Sequence, residues 1–191
     1  RLRDDSDIER MRKFRNGDGS LPVERFSGSW ERMPAAAWRG ETKDYRPHAG
    51  LNWNGAKDLS FTAKLAQDDT GVLVRVEVKD DIVVNPFSGS DAGLGDSVHV
   101  VFADTSGGKR LSRVVSALDG VREAGGYTVG LKIGWNELSA SGINRAEGVR
   151  FNVRVADQDG AGDGYENWMG IADGIIGGRD ASKFPFLDLS G

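Results

Sequence analysis

The chain has 191 residues, no cysteine and a net charge of −4 at neutral pH. That length suits one domain, or one domain with a short appendage, and allows a core that needs no covalent staples. The missing cysteines exclude disulfides, cysteine-based zinc sites and thiol nucleophiles; the acidic balance argues against a phosphate-neutralising nucleic-acid binder; and no run of about 18 apolar residues exists to span a membrane.

Residues 1–24 differ from the rest. Asp5 and Ser6 are suited to cap a short helix whose apolar side is Ile8, Met11 and Phe14, and Asn16-Gly17 stops it. Its alternating charges read as a solvated face. The segment is expected to be a lone helix or linker, ahead of a second unit over residues 25–191. The opening carries no apolar signal-peptide core, and a chain starting at Arg1 rather than Met is expected to be a processed or excised piece of a longer protein.

From Trp30 onward the apolar spacing changes to period two, which puts alternate side chains on one face of a strand. Leu59, Phe61, Ala63 and Leu65 alternate with polar neighbours, and Val72, Val74, Val76 and Val78 do the same after a hairpin-length turn at residues 67–71. Val98, Val100 and Phe102 then share a face opposite Ser97 and His99. Tyr127, Val129, Leu131 and Ile133 form a fourth row, and Phe151, Val153 and Val155 a fifth, opposite Arg150, Asn152 and Arg154. Further strands are expected near 29–33, 112–117, 166–170 and 185–189, with one helical turn at Trp135-Asn136-Glu137-Leu138. No long helical period is available to cover the apolar faces, so the cover must be a second sheet. The predicted fold is all-β: an antiparallel, jelly-roll-like β-sandwich of about ten strands. Long irregular stretches at 34–52, 85–95, 104–111 and 157–183 are candidates for function.

Catalytic motifs are weak. His48 and His99 lie in a loop and a strand, and no serine near them sits on a strand-to-helix turn of the nucleophile-elbow type. Asp58, Asp68, Asp69, Asp80 and Asp81 fall at strand ends and turns, where aspartate caps local backbone groups. Sugar binding instead needs flat aromatic faces for the C–H side of a ring and planar polar groups for its hydroxyls. Five tryptophans supply candidates (Trp30, Trp38, Trp53, Trp135 and Trp168), of which Trp53 and Trp135 lie in segments that look structural.

Four stretches occur in fixed order: Trp53-Asn54-Gly55-Ala56-Lys57-Asp58-Leu59-Ser60, Gly95-Asp96-Ser97-Val98-His99-Val100-Val101-Phe102, Arg150-Phe151-Asn152-Val153-Arg154-Val155-Ala156-Asp157 and Arg179-Asp180-Ala181-Ser182-Lys183-Phe184-Pro185-Phe186. As an ordered set, covering roughly residues 50–190, they resemble the family 9 carbohydrate-binding modules and their DOMON-like relatives, which are non-catalytic β-sandwiches. The resemblance implies a sugar clamped between two tryptophans, but the first position falls at Asn85-Pro86-Phe87 or Leu94 and the second at Gly178, and Ala181 stands where the family has proline. Phe87 is then a partial substitute. The family's polar contacts correspond to His99, Arg113 and Arg154, with Asn152 and Trp168 as flanking candidates. Two guanidiniums and an imidazole suit an oxyanion, because the guanidinium fork bonds a carboxylate or sulfate bidentately. The expected ligand is therefore an acidic or modified sugar on an oligo- or polysaccharide.

Asp157, Asp159 and Asp163 in a glycine-rich loop offer alternate hard oxygens of the kind calcium takes, although a polar turn with local capping explains the same residues and the spacing departs from an EF-hand. Family 9 modules hold structural calcium, so the resemblance implies calcium as the one cofactor. A DOMON-type haem b site would have to draw on Met11, Met33, Met169, His48 and His99, of which His99 is the best placed; a structural or interaction sandwich that has lost its sugar site is the remaining alternative. The resemblance implies a monomeric accessory domain joined to a larger polysaccharide-acting protein that is secreted, periplasmic or at the cell surface.

Overall fold

A computed structural model describes residues 20–28, 38–40, 57–158, 167–172, 175 and 180–190. The period-two rows form its long strands: β4 (Leu59–Gln67), β5 (Gly71–Asp80), β6 (Ser97–Ala103), β9 (Gly126–Gly134) and β10 (Arg150–Asp157). Shorter strands complete two sheets: β1 (Ser20–Pro22), β2 (Glu24–Arg25), β3 (Trp38–Gly40), β7 (Arg110–Ser116), β8 (Val121–Glu123), β11 (Asn167–Gly170) and β12 (Phe186–Asp188). One six-stranded sheet runs β1-β12-β10-β6-β7 with β11 also on β10; the other runs β2-β4-β5-β9-β8 with β3 also on β4. The molecule is an all-β sandwich, as the alternation required.

The inward rows are the ones read from the sequence. Phe61, Val74, Val76, Val98, Val100, Phe102, Phe151, Val153 and Val155 are each at most 2% exposed and belong to one continuous core. The Phe102 and Phe151 rings sit 5.2 Å apart at 56°, a tilted pairing that the ring quadrupoles favour. In the β4–β5 turn, the Asp68 carboxylate accepts from the Thr70 and Gly71 amides, and the Lys132 ammonium reaches its other oxygen at 2.8 Å. Gly71 must be glycine because a Cβ there would lie 2.2 Å from the Ile133 carbonyl oxygen on β9. The one α-helix among the described residues, α1 (Trp135–Ala140), follows β9 directly, and Glu137 reaches back to accept from the Gly134 amide at its start. The Trp135 indole donates to the Asp68 carbonyl and lies under the Arg145 guanidinium, so this tryptophan is structural.

Two features depart from the expected layout. The pairing is not wholly antiparallel, because β1 adds to β12 and β2 to β4 in parallel. The boundary placed at residue 24 also falls inside a described segment: residues 20–25 pass from one sheet to the other, with Val23 at 1% exposure between them. The helix expected over residues 5–16 and the strand expected near 29–33 lie outside the described residues.

Candidate functional site

Residues directly opposite on neighbouring strands leave the same side of a sheet, so register assigns each candidate to a face. On β6 and β10, His99 pairs with Arg154 and both point outward, whereas the adjacent pair Val100 and Val153 points into the core. Trp168 on β11 pairs with Ala156, two residues along from Arg154 on that outer face. His99 and Arg154 therefore form a polar row across the outer surface of the first sheet, with Trp168 diagonal to it.

This surface is more covered than a solvent-open polar face. Below the row, Val101 and Ala103 are capped by Ala181 and Phe184. Asn152 is fully buried: its amide nitrogen donates to the Ala172 carbonyl at 2.7 Å, and its oxygen accepts from the Ala172 and Val153 amides. That amide fastens the segment after β11 to the sheet and lies buried beneath it rather than at the surface. Arg154 is 7% and Trp168 9% exposed, while His99 is half-buried. The patch open to solvent beside them is formed by Leu94 and Val114, at 39% and 43% exposure.

Arg113 does not join the row. It pairs with Val100, so it leaves the core-side face of edge strand β7, and its guanidinium bonds Glu137 on α1 at 3.0 Å. The Gly134 amide, followed by this guanidinium, holds the Glu137 carboxyl below the usual range. The expected trio of His99, Arg113 and Arg154 is thus a pair, because the alternation on β7 runs Leu111, Arg113, Val115 on the inner side.

The loop between β5 and β6 forms one wall of the patch. Residues Gly89–Leu94 make a 3-10 turn whose Gly93 carbonyl accepts from Arg154 Nη2 at 3.4 Å. Asn85 bolts this loop together: its amide nitrogen donates to the Ala92 and Asp96 carbonyls and to Ser116 Oγ, and its oxygen accepts from the Phe87 amide. Gly95 is required there, since a Cβ would meet Asn85 Oδ1 at 2.2 Å. Phe87 stands half-buried on the same loop.

At one end of the sandwich lies a second constellation that sequence reasoning missed. The inward rows of both sheets end in carboxylates: Val72-Val74-Val76-Val78 runs on to Asp80, Phe151-Val153-Val155 runs on to Asp157, and Asp96 precedes Val98. These three carboxylates have ligand oxygens within 4.8 Å of one another and are at most 1% exposed. Asp96 Oδ2 accepts from the Val84 amide at 2.5 Å and Oδ1 from the Gln158 amide at 2.6 Å, while Asp80 accepts from the Ile82 amide. Tyr127, paired with Val78 on the inner face of the second sheet, is 1% exposed, and its hydroxyl has no hydrogen-bond partner among the described residues. Burial first, then the charges of Asp96, Asp80 and Asp157, pushes that phenol well above its ordinary value. Asp157 therefore belongs to a buried three-carboxylate cluster; Asp159 and Asp163, expected beside it in a loop, lie outside the described residues. The missed signal was an aspartate continuing an apolar period-two row.

Other ligand classes fit less well. Met169 pairs with Val155 and is fully buried in the core, whereas His99 leaves the opposite face of the same sheet, so the two cannot share a haem iron; Met11, Met33 and His48 lie outside the described residues. A groove of about 490 Å³ on the outer face of the second sheet is lined by Thr62, Arg75, Glu77 and Lys79. Glu77 is already bracketed by Lys64 and Arg75 at 2.8 and 3.3 Å, and the aromatic rings reaching this groove, Phe61 and Tyr127, belong to the core.

Two twisted sheets facing across one apolar core, with a polar row on an outer face beside a long loop, define a β-sandwich of the family 9 carbohydrate-binding-module fold. The chain is similar to a family 9 carbohydrate-binding module from Caldicellulosiruptor kristjanssonii solved with cellotriose, at TM-score 0.64 and 14% identity over 88% of this chain and 92% of that one. A family 9 carbohydrate-binding module from the same organism solved with glucose gives TM-score 0.65 and 14% identity over 88% of this chain and 94% of that one. No family model and no curated protein matches the chain.

Proposed function

We propose that the chain is a non-catalytic carbohydrate-binding module that takes its ligand on the outer face of the first sheet. The observation that carries this is the direct pairing of His99 with Arg154, walled by the loop that bears Phe87 and flanked by Trp168. The modules of like fold solved with cellotriose and glucose support the ligand class. With one guanidinium beside one imidazole, the favoured ligand is a glycan carrying a carboxylate, because a buried arginine fork discriminates an oxyanion from a neutral hydroxyl. Calorimetric titration with a uronate-bearing and a neutral oligosaccharide tests it. Heat with the uronate alone supports the acidic ligand, equal heat with both restricts the proposal to neutral sugar, and no heat with either removes the sugar site in favour of an interaction sandwich.

A structural calcium belongs to the same proposal. The residues that fit it are Asp80, Asp96 and Asp157, and the test of fit is the orphaned Tyr127 hydroxyl among three buried carboxylates, an arrangement suited to a hard cation with its remaining oxygens. When bound, calcium would offset the mutual repulsion of the three carboxylates and join the two sheets at this end. The module is expected to act as an accessory domain of a secreted or surface polysaccharide-acting protein.

A further inference from the structure

We propose that divalent-cation occupancy of the Asp80–Asp96–Asp157 cluster controls the glycan patch, because Asp96 is both a wall of the cluster and the anchor of the loop that walls the patch. The inference rests on the sugar-binding and calcium proposals above and adds a coupling between two separate sites.

Three observations carry it. The cluster draws on both sheets, Asp80 from the end of β5, Asp157 from the end of β10 and Asp96 from the residue just before β6, so a cation seated there would crosslink the layers at one end. The Tyr127 hydroxyl, buried beside the cluster with no partner among the described residues, is an oxygen left over for an ion or for water on an ion. Asp96, finally, closes the loop at its neck. Its carboxylate accepts from the Val84 amide while its own amide donates to the Val84 carbonyl at 3.1 Å, and its carbonyl accepts from Ala117 N and Asn85 Nδ2. The loop clamped by this reciprocal pair runs through Phe87 to Gly93, whose carbonyl meets Arg154. Through its other oxygen, the same carboxylate also holds Gln158, the residue following β10.

A cation seated among Asp80, Asp96 and Asp157 would draw on the same carboxylate that fixes the loop neck. With a cation, that carboxylate is held where both amides can donate to it. The patch then presents one geometry to the sugar, and the ordering is done before the ligand arrives. Coupling of this kind is reciprocal: glycan must tighten cation binding by the factor by which cation tightens glycan binding. A neutral phenol oxygen beside the ion adds to the field without adding charge, so Tyr127→Phe is expected to weaken the ion while keeping the ring in the core.

The test uses the whole 191-residue chain, stripped with chelator and then titrated with calcium chloride. Calorimetry and thermal melting read the ion, hydrogen exchange of the residue 84–95 amides reads the loop, and oligosaccharide titration with and without about 1 mM calcium reads the patch. Expected are a melting temperature raised by calcium, slower exchange at Val84 and along the loop, and a sugar Kd at least about tenfold lower with calcium than without. Tyr127→Phe and Asp157→Asn should each need more calcium for the same protection; the second leaves the Val84 bond to Asp96 in place, so it separates loss of the ion from loss of the anchor. An unchanged melting temperature and no calcium heat would overturn the cation site. Calcium heat with unaltered loop exchange and an unaltered sugar Kd would overturn the coupling. Sugar silence in calcium-saturated protein would remove the glycan proposal instead, while the exchange measurement would still decide whether the ion governs the loop.

Discussion

His99 and Arg154 stand opposite each other across β6 and β10 and leave the sandwich on the same side, whereas Arg113, one strand over, leaves on the other side and meets Glu137. The patch is a pair of basic groups rather than a trio. Arg154→Lys keeps the charge and loses the fork, so it is expected to raise the Kd for a carboxylate-bearing glycan by about tenfold or more, as loss of a charge-assisted bidentate contact would. Arg113→Ala should leave that Kd unchanged. It should lower stability by no more than about 1 kcal/mol, since its partnered side chain is 45% exposed. Calorimetry and denaturant melts on the two variants check both statements.

Asn152→Ala separates structure from recognition. The buried amide makes three bonds, two of them to Ala172, and its removal leaves the Ala172 groups unpaired inside the protein. The expected loss is about 2–3 kcal/mol of stability, read by urea denaturation, with glycan affinity per folded molecule unaltered.

Phe102→Ala removes one ring of the tilted Phe102–Phe151 pair, both fully buried where the two sheets face each other. About 3–5 kcal/mol of destabilisation is expected. A double-mutant cycle with Phe151→Leu should return a coupling of about 1 kcal/mol between the rings.

The β4–β5 turn is expected to be acid-sensitive. Lys132 first, then Thr70 and the Gly71 amide, hold Asp68 far below the ordinary carboxylate range. A depressed carboxylate stabilises the fold above its unfolded value of about 3.9 and loses that contribution as the pH falls toward the folded value. Asp68→Asn should therefore lower the melting temperature at pH 7, and the gap to the parent chain should narrow as the pH is taken below about 4. The carboxylate is 31% exposed, so solvent screening keeps the effect small, on the order of 1 kcal/mol.

The sandwich was legible because each long strand has one face that must be dry. Period two in Val72 to Val78 or Phe151 to Val155 states which side chains those are before any partner strand is known. The helical turn at Trp135 and the turn at Asp68 were legible for a similar reason, since capping is a local affair. The ordered motifs also pointed to the right fold, although similarity at 14% identity is similarity of fold.

What the sequence left open was every relation that crosses between strands. The face taken by Arg113 depends on its register with Val100, which no local pattern in Arg110-Leu111-Ser112-Arg113-Val114-Val115 decides. The cover over Asn152 and Arg154 comes from distant segments, so a polar strand face read as open is largely closed. Asp80 read as an ordinary strand-end aspartate, Asp96 as one residue of a strand motif, and Asp157 as part of a calcium-type loop with Asp159 and Asp163. Only the stacking of two sheets with those ends at the same edge gathers their charges into one buried cluster, because proximity there is set by packing of the layers and not by spacing along the chain.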